Sequence, residues 1–238
     1  MGDVKYFYSA GAMGYAGEGY LWHKLYNFPR LPVVSKTITL NPKKGHPYAI
    51  LPVGKSVYNK VALHNVGYLK WYSNYYLNKA DDIEITLSIA GTDDEIARMV
   101  DSLNSIPTIK AIELNFSCPN VTDHCNKRLP DTDKDIYLKL NWQQSPYLYY
   151  DTTTVKGIRL NSIPLTYCGG SGKVAQERNW EYIRNYVPKG FNVAGCSFTS
   201  MADIAKLKAY GCTEIGIGSI ILTNPRLVEK LKISEEEK

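Results

Sequence analysis

Residues 111–120 read Ala-Ile-Glu-Leu-Asn-Phe-Ser-Cys-Pro-Asn and bring two amides (Asn115, Asn120), a hydroxyl (Ser117) and a thiol (Cys118) close together. A thiol acts as base or nucleophile only as thiolate, so Cys118 can do chemistry if its surroundings match its pKa to the task. The first half of the run alternates Ile112, Leu114 and Phe116 with more polar residues, the period of a short buried strand. Pro119 cannot continue a ladder and Asn120 favours a turn, so the strand ends where the polar groups begin. In parallel α/β folds the carboxyl ends of strands are where ligands are held. Alone, Cys118 would read as a small buried hydrophobe and the asparagines as turn formers. The crowding of polar functions between strand and Pro turn favours a ligand site.

Other strand ends carry comparable groups. Lys36 lies in Ser35-Lys36-Thr37, and Lys139 stands between Leu138 and Leu140, each within an apolar run. A lysine so placed either snorkels to the rim or meets an anion, and two on separate strands are costly without an anionic partner. Asn161-Ser162 ends another strand. Small residues after the first strand, Ser9-Ala10-Gly11-Ala12-Met13-Gly14, allow the backbone close to a ligand. Three late glycine turns follow: Gly169-Gly170-Ser171-Gly172, Ala194-Gly195-Cys196 and Gly216-Ile217-Gly218-Ser219. Glycine turns at the last strand ends of a barrel bind phosphate through backbone N–H groups. With two lysines and no G-x-G-x-x-G dinucleotide unit, they point to a phosphorylated cofactor such as FMN.

The elements that must position these groups are eight β-like runs, near residues 4–9, 32–39, 84–89, 111–116, 136–141, 155–161, 191–195 and 214–218. Helical stretches follow most of them, at 67–77, 92–103, 174–186, 199–210 and 224–231. Thr92 with Glu95 three residues on is a capping-box signature. Between Asn120 and Asp135 the chain is rich in Asn, Asp and Pro, so a loop or short turn replaces a helix. Eight alternating units in 238 residues predict one domain over 1–238, a single α/β (β/α)8 barrel of the TIM type with shortened loops.

Composition narrows the function classes. The net charge of +5 is spread along the chain, so no nucleic-acid groove is indicated. The 19 tyrosines could stack on bases, but without a basic groove core and rim packing is the better reading. Five cysteines at irregular spacing argue against a disulfide framework, and His124 and Cys125 lack the further ligands a zinc site needs. No apolar run approaches the roughly 18 residues of a membrane span, and no signal-peptide core is present. The expectation is a soluble, cytoplasmic protein with no membrane or nucleic-acid partner.

Three motifs resemble those of the dihydroorotate dehydrogenases. Leu114-Asn115-Phe116-Ser117-Cys118-Pro119-Asn120 is similar to that family's N-x-S-C-P-N signature. Residues 35–42 resemble its K-T-x-T-x-x-P pattern, and residues 59–67 its N-x-x-G-L-x-N-x-G stretch. Ser88-Ile89-Ala90-Gly91, Lys139, Asn161-Ser162 and the glycine turns follow in the family's order. The resemblance implies an FMN enzyme of the soluble, cysteine-base class that oxidises dihydroorotate to orotate in pyrimidine biosynthesis. Cys118 would take a proton from C5 of the substrate while hydride leaves C6, and Lys36 would counter the orotate carboxylate. Asn59, Leu63, Asn115, Asn120, Asn161 and Ser162 would hold the pyrimidine. Ala10, Gly11, Lys36, Asn115 and Lys139 would line the flavin, and Gly169, Gly170, Gly195, Gly218 and Ser219 would hold its phosphate. No metal is implied, and a homodimer is possible.

The chain departs from that pattern at Ala62 and Cys196, each in place of a family glycine, and in short segments after Asn120 and after Ser162. Two alternatives stay open: a related flavin enzyme acting on another pyrimidine, and a flavin-binding barrel with reduced or lost turnover. The electron acceptor, fumarate or a partner subunit, also stays open.

Overall fold

The alternating apolar runs become parallel strands that wrap into a near-closed barrel in the computed structural model, which describes residues 4–117, 130–148 and 155–231. In chain order the strands are β1 (Lys5–Tyr8), β2 (Val33–Val34), β3 (Ile50–Val53), β4 (Ser56–Asn59), β5 (Ile85–Ile89), β6 (Ala111–Asn115), β7 (Asp135–Leu140), β8 (Val155–Leu160), β9 (Ile163–Pro164), β10 (Gly169–Gly172) and β11 (Glu214–Ile217). The barrel sheet runs β11-β1-β2-β5-β6-β7-β8, with every pairing parallel. Parallel bridges from Ile158 to Val193 and from Gly195 to Ile215 carry residues 193–195 between β8 and β11 as the closing segment. The expected (β/α)8 architecture holds.

Alternation divides each strand between two environments. Ile112, Leu114, Ile136, Leu138 and Leu140 face outward into the main core with Met99, Val100 and Leu103 of helix α2. Burying side chains of this size contributes about 1.5–3 kcal/mol each. Ala111, Glu113 and Asn115 take the opposite face, toward the barrel axis, where Phe7, Val34 and Ala194 form a small apolar cluster among the described residues. The interior is left largely to polar groups, and these form the site.

Helix α1 (Tyr68–Trp71) continues directly into a π-helical turn, Tyr72–Tyr76, and anchors on Trp71. Trp71 is fully buried and donates from Nε1 to the Tyr15 carbonyl at 3.0 Å. Helix α2 (Asp93–Asn104) starts on the expected capping box: Glu95 N donates to Thr92 Oγ1 at 3.3 Å, and Thr92 N donates to Glu95 Oε2 at 3.0 Å. Helices α3 (Lys173–Tyr186) and α4 (Met201–Ala209) match the later helical stretches within two residues at each end.

Two expectations need correction. The run 32–39 is not one strand. Only Val33–Val34 joins the ladder, because Lys36 N turns to the Gly14 carbonyl at 2.8 Å; the chain regains the sheet at the Ile38–Ile89 bridge. The glycine run 169–172 is a strand rather than a turn. It is β10 in a second, antiparallel sheet of order β3-β4-β10-β9. Its glycines answer to crowding: a Cβ on Gly170 would lie 2.8 Å from Leu165 Cδ1, and one on Gly172, at φ 71°, 2.5 Å from the Lys55 carbonyl. This sheet was not expected from the sequence. Its edge strand β3 contains Pro52, which an edge tolerates, and Gly54 supplies the positive φ of the two-residue turn into β4.

Ala62 and Leu63 both lie in the left-handed region, at φ 54° and 57°. A Cβ in that region costs roughly 1–2 kcal/mol, so what Ala62 lacks is glycine's φ freedom rather than room for a methyl. Ala62→Gly is therefore expected to stabilise the protein by about 1 kcal/mol, read as a raised thermal midpoint. An unchanged or lowered midpoint would show that Ala62 is relaxed there. In the 194–198 turn the left-handed residue is Ser197, at φ 58°, and Cys196 takes the place of a glycine without needing a positive φ.

Candidate functional site

Several of the groups singled out from the sequence lie toward the carboxyl ends of the barrel strands. After β1 the chain doubles back so that Gly11 N reaches the Val34 carbonyl at 3.4 Å. Gly11, at φ 79°, then lies against Lys36, whose Cγ would be 3.7 Å from a Cβ built there. Ala10 packs on the Phe7, Val34 and Ala194 cluster. The Lys36 ammonium lies 5.4 Å from the centre of the Tyr15 ring, and burial lowers its pKa.

Deeper in the barrel stands Glu113, 1% exposed. Its Oε1 accepts from Ser88 Oγ at 2.8 Å and lies 3.7 Å from Lys139 Nζ; its Oε2 lies 3.6 Å from Arg159 Nη1. The Arg159 guanidinium is clasped between Tyr137 and Phe7, at 3.7 and 4.3 Å from the ring centres. From Ser88 a line of side chains leads to the rim. Thr37 Oγ1 is 2.8 Å from Ser88 Oγ, and Asn115 Nδ2 donates to Thr37 Oγ1 at 3.1 Å. Ser117 donates from N and Oγ to Asn115 Oδ1, at 3.2 and 2.8 Å. Asn161 Nδ2 donates to Ser117 Oγ at 2.7 Å. Asn115 and Asn161 are thus linked through Ser117, and Lys139 lies beside Asn115 across the strand pair.

A second group gathers where β4 meets β10. A Cβ on Gly169 would lie 2.9 Å from Ser162 Oγ and 3.3 Å from both Asn59 side-chain polar atoms, so these three residues meet. Leu63 is held nearby by the buried Asn65, whose Nδ2 donates to the Leu63 carbonyl at 2.8 Å and whose Oδ1 accepts from Gly67 N at 2.9 Å. Gly170 is paired on both sides within the ladder. Gly195 N donates to the Glu214 carbonyl at 2.8 Å, and its lack of a side chain serves packing, since a Cβ would lie 3.1 Å from Ile215 and 3.2 Å from Leu207. Gly218 lies beside Ser9, and Ser219 Oγ beside Gly172. The N–H groups of Gly218 and Ser219 have no acceptor among the described residues. Cys118 and Asn120 lie outside the described residues.

Glu113, Thr37, Ser88 and Arg159 were missed in the sequence. The signal for Glu113 was its register: two residues before Asn115 on an alternating strand, it must share Asn115's face. Arg159 stands between Ile158 and Leu160 as Lys139 stands between its leucines. The thiols of Cys196 and Cys212, pushed up by burial to about 11 and about 12, are poor candidates for reactive groups.

Comparison with known proteins decides the family. The sequence profile described as dihydroorotate dehydrogenase matches residues 6–142, more than half of the chain. The chain belongs to the dihydroorotate dehydrogenase family. The matched region takes in the Lys36 turn, β6 with Glu113 and Asn115, and β7 with Lys139. Over 123 residues, 48% of this chain, it is 37% identical to the dihydroorotate dehydrogenase A (fumarate) of Lacticaseibacillus paracasei, covering 40% of that protein. Over 142 residues, 52% of this chain, it is 34% identical to the dihydroorotate dehydrogenase B (NAD(+)) catalytic subunit of Streptococcus pneumoniae, covering 43% of it. The subunit of the same description from Desulforudis audaxviator is 40% identical over 92 residues, 37% of this chain and 30% of its own length. The chain thus aligns with less than half the length of these relatives of the family. Among the described residues no helix is long and apolar enough to cross a membrane, and no cluster of His, Cys, Asp or Glu could hold a metal ion.

Proposed function

We propose that this chain binds FMN and oxidises dihydroorotate to orotate. The observation that carries the reading is the barrel mouth itself. Lys139 and Arg159 converge beneath it on the carboxylate Glu113, and at the rim Asn115 and Asn161 are locked together by Ser117. The residues present fit an anionic, flat group. The buried Arg159 and the largely covered Lys139 share one anion, Lys36 forms no ion pair with any described residue, and Gly218 and Ser219 have N–H groups to spare among the described residues.

FMN would supply the hydride acceptor. Ala10, Gly11, Lys36, Asn115 and Lys139 would line it, with Gly218 and Ser219 at its phosphate and Gly169, Gly170 and Gly195 keeping the surrounding backbone close. Asn59, Leu63, Asn115, Asn120, Asn161 and Ser162 would hold the pyrimidine, and Cys118 would accept the C5 proton. In this reading Lys36 faces the substrate carboxylate.

The protein is expected to purify with FMN and without FAD. Mass spectrometry of the released flavin identifies it, and anaerobic dihydroorotate should bleach its visible absorption. A colourless protein that FMN cannot reconstitute would overturn the reading.

Lys36 gives a separate test. Because burial lowers its pKa, the ammonium loses its proton at a lower pH than a free lysine does. Orotate affinity should therefore fall as pH rises through that depressed value, since only the charged form attracts the carboxylate. In Lys36→Met the affinity should drop about 10- to 100-fold, the worth of a charged hydrogen bond, and lose this pH dependence. Titration of the flavin absorbance with orotate across alkaline pH reads both. The same pH profile in Lys36→Met as in wild type would remove Lys36 from the carboxylate.

A further inference from the structure

We propose that Glu113 is a positioning residue that fixes which way the amides of Asn115 and Asn161 face at the barrel mouth. It acts through the hydroxyls of Ser88, Thr37 and Ser117. The inference rests on the pyrimidine-site reading and concerns residues that reading leaves without a role.

The supply of protons along the contacts sets the direction of each bond. As a carboxylate, Glu113 can only accept. Ser88 has one hydroxyl proton and directs it to Glu113 Oε1 at 2.8 Å. In the 2.8 Å contact between Thr37 and Ser88, the proton must then come from Thr37. Thr37 can only accept on its other side, so the group of Asn115 that faces it at 3.1 Å is the NH2. That leaves Asn115 Oδ1 for Ser117, which donates to it from both N and Oγ. With its own proton so used, Ser117 Oγ can only accept, so Asn161 turns its NH2 inward at 2.7 Å. Each bond runs toward Glu113. Turning over Asn115 would set acceptor against acceptor at Thr37 and donor against donor at Ser117 N, and turning over Asn161 would set acceptor against acceptor at Ser117 Oγ.

Two cations hold the origin of the chain. Arg159 Nη1 and Lys139 Nζ approach Glu113 at 3.6 and 3.7 Å. Arg159 Nε and Nη1 make no hydrogen bond to the described residues, so the guanidinium balances the charge without taking the Ser88 contact away. The consequence at the rim is specific. The carbonyl oxygen of Asn161 accepts from none of the described residues and is left for a ligand N–H, while Asn115 keeps one amide N–H to donate. A ring edge carrying adjacent N–H and C=O groups, as a pyrimidinedione does, complements that pair.

The test moves the charge along the chain. Glu113→Gln places a group able to donate at the origin, and Asn115→Asp makes the rim end accept only. Each alone should lower the thermal midpoint, by about 2–4 °C for each unmatched bond at this chain size, and Glu113→Gln by more, because it also strips Lys139 and Arg159 of their counter-charge. The double variant should lose less than the sum of the two single losses, because the chain can then run in reverse. Adding Thr37→Val, which cuts the chain, should abolish that recovery. Strictly additive losses would overturn the proposal. So would a recovery that survives Thr37→Val, since it would come from charge acting through space.

A ligand arm completes the test. In Thr37→Val and Glu113→Gln the orotate dissociation constant of the FMN-loaded protein should rise about tenfold. Unchanged orotate affinity would count against the proposal. If wild type binds no orotate, the pyrimidine reading fails, and the thermal coupling still decides the direction of the chain.

Discussion

Cys118→Ala is expected to keep FMN and orotate binding and to slow flavin reduction by dihydroorotate about 10²–10⁴-fold, the usual cost of losing a general base. The Lys139, Glu113 and Arg159 cluster and the Asn115, Ser117 and Asn161 contacts are formed among those residues themselves. In wild type the reduction rate should rise with pH as the thiol ionises, because only the thiolate can take the proton. That dependence should vanish in the alanine variant. Anaerobic stopped-flow measurement of flavin bleaching reads both effects. Equal rates in the two proteins would remove Cys118 as base. A wild-type protein that holds FMN yet is not reduced by dihydroorotate would instead favour a different pyrimidine or an inactive barrel.

The barrel was legible because its information is local and periodic. Alternation at residues 111–116 marked a strand, and Thr92 with Glu95 marked a helix start that α2 uses. The second sheet was not legible, since β10 is four residues, three of them glycine, and β3 carries Pro52. What makes Gly169–Gly172 a strand is its antiparallel fit to β4, more than a hundred residues earlier, together with the crowding that excludes side chains. In the site, Asn115, Lys139 and Asn161 stood out because polar groups at strand ends are unusual. Glu113 did not, because an acid inside an alternating strand looks like the solvent face until its neighbours are known. Only the register with Ser88 on β5, together with the reach of Lys139 and Arg159, shows that this face is the interior. Lys139, an inward lysine between two leucines, does meet an anion, and that anion is in part the protein's own Glu113.

That sharing shapes the expectation for Lys139→Ala. Removing the ammonium leaves Glu113 still facing Arg159 at 3.6 Å and still accepting from Ser88, so the buried acid keeps a counter-charge and the barrel should fold. What is lost is the cation beside the flavin ring, where negative charge collects on reduction. FMN should bind about 10- to 100-fold more weakly, the range for losing a charged hydrogen bond of ~1.5–3 kcal/mol. The loss should be greater for reduced than for oxidised flavin, so the reduction potential should fall, by about 30 mV for each tenfold difference between the two affinities. Arg159→Met is the control: it also removes one cation from Glu113, but from the Phe7 and Tyr137 side of the cluster. It should therefore cost more in thermal stability and less in potential than Lys139→Ala does. Potentiometric titration beside thermal unfolding separates the two variants. If Lys139→Ala changed neither flavin affinity nor potential, its ammonium would serve Glu113 alone.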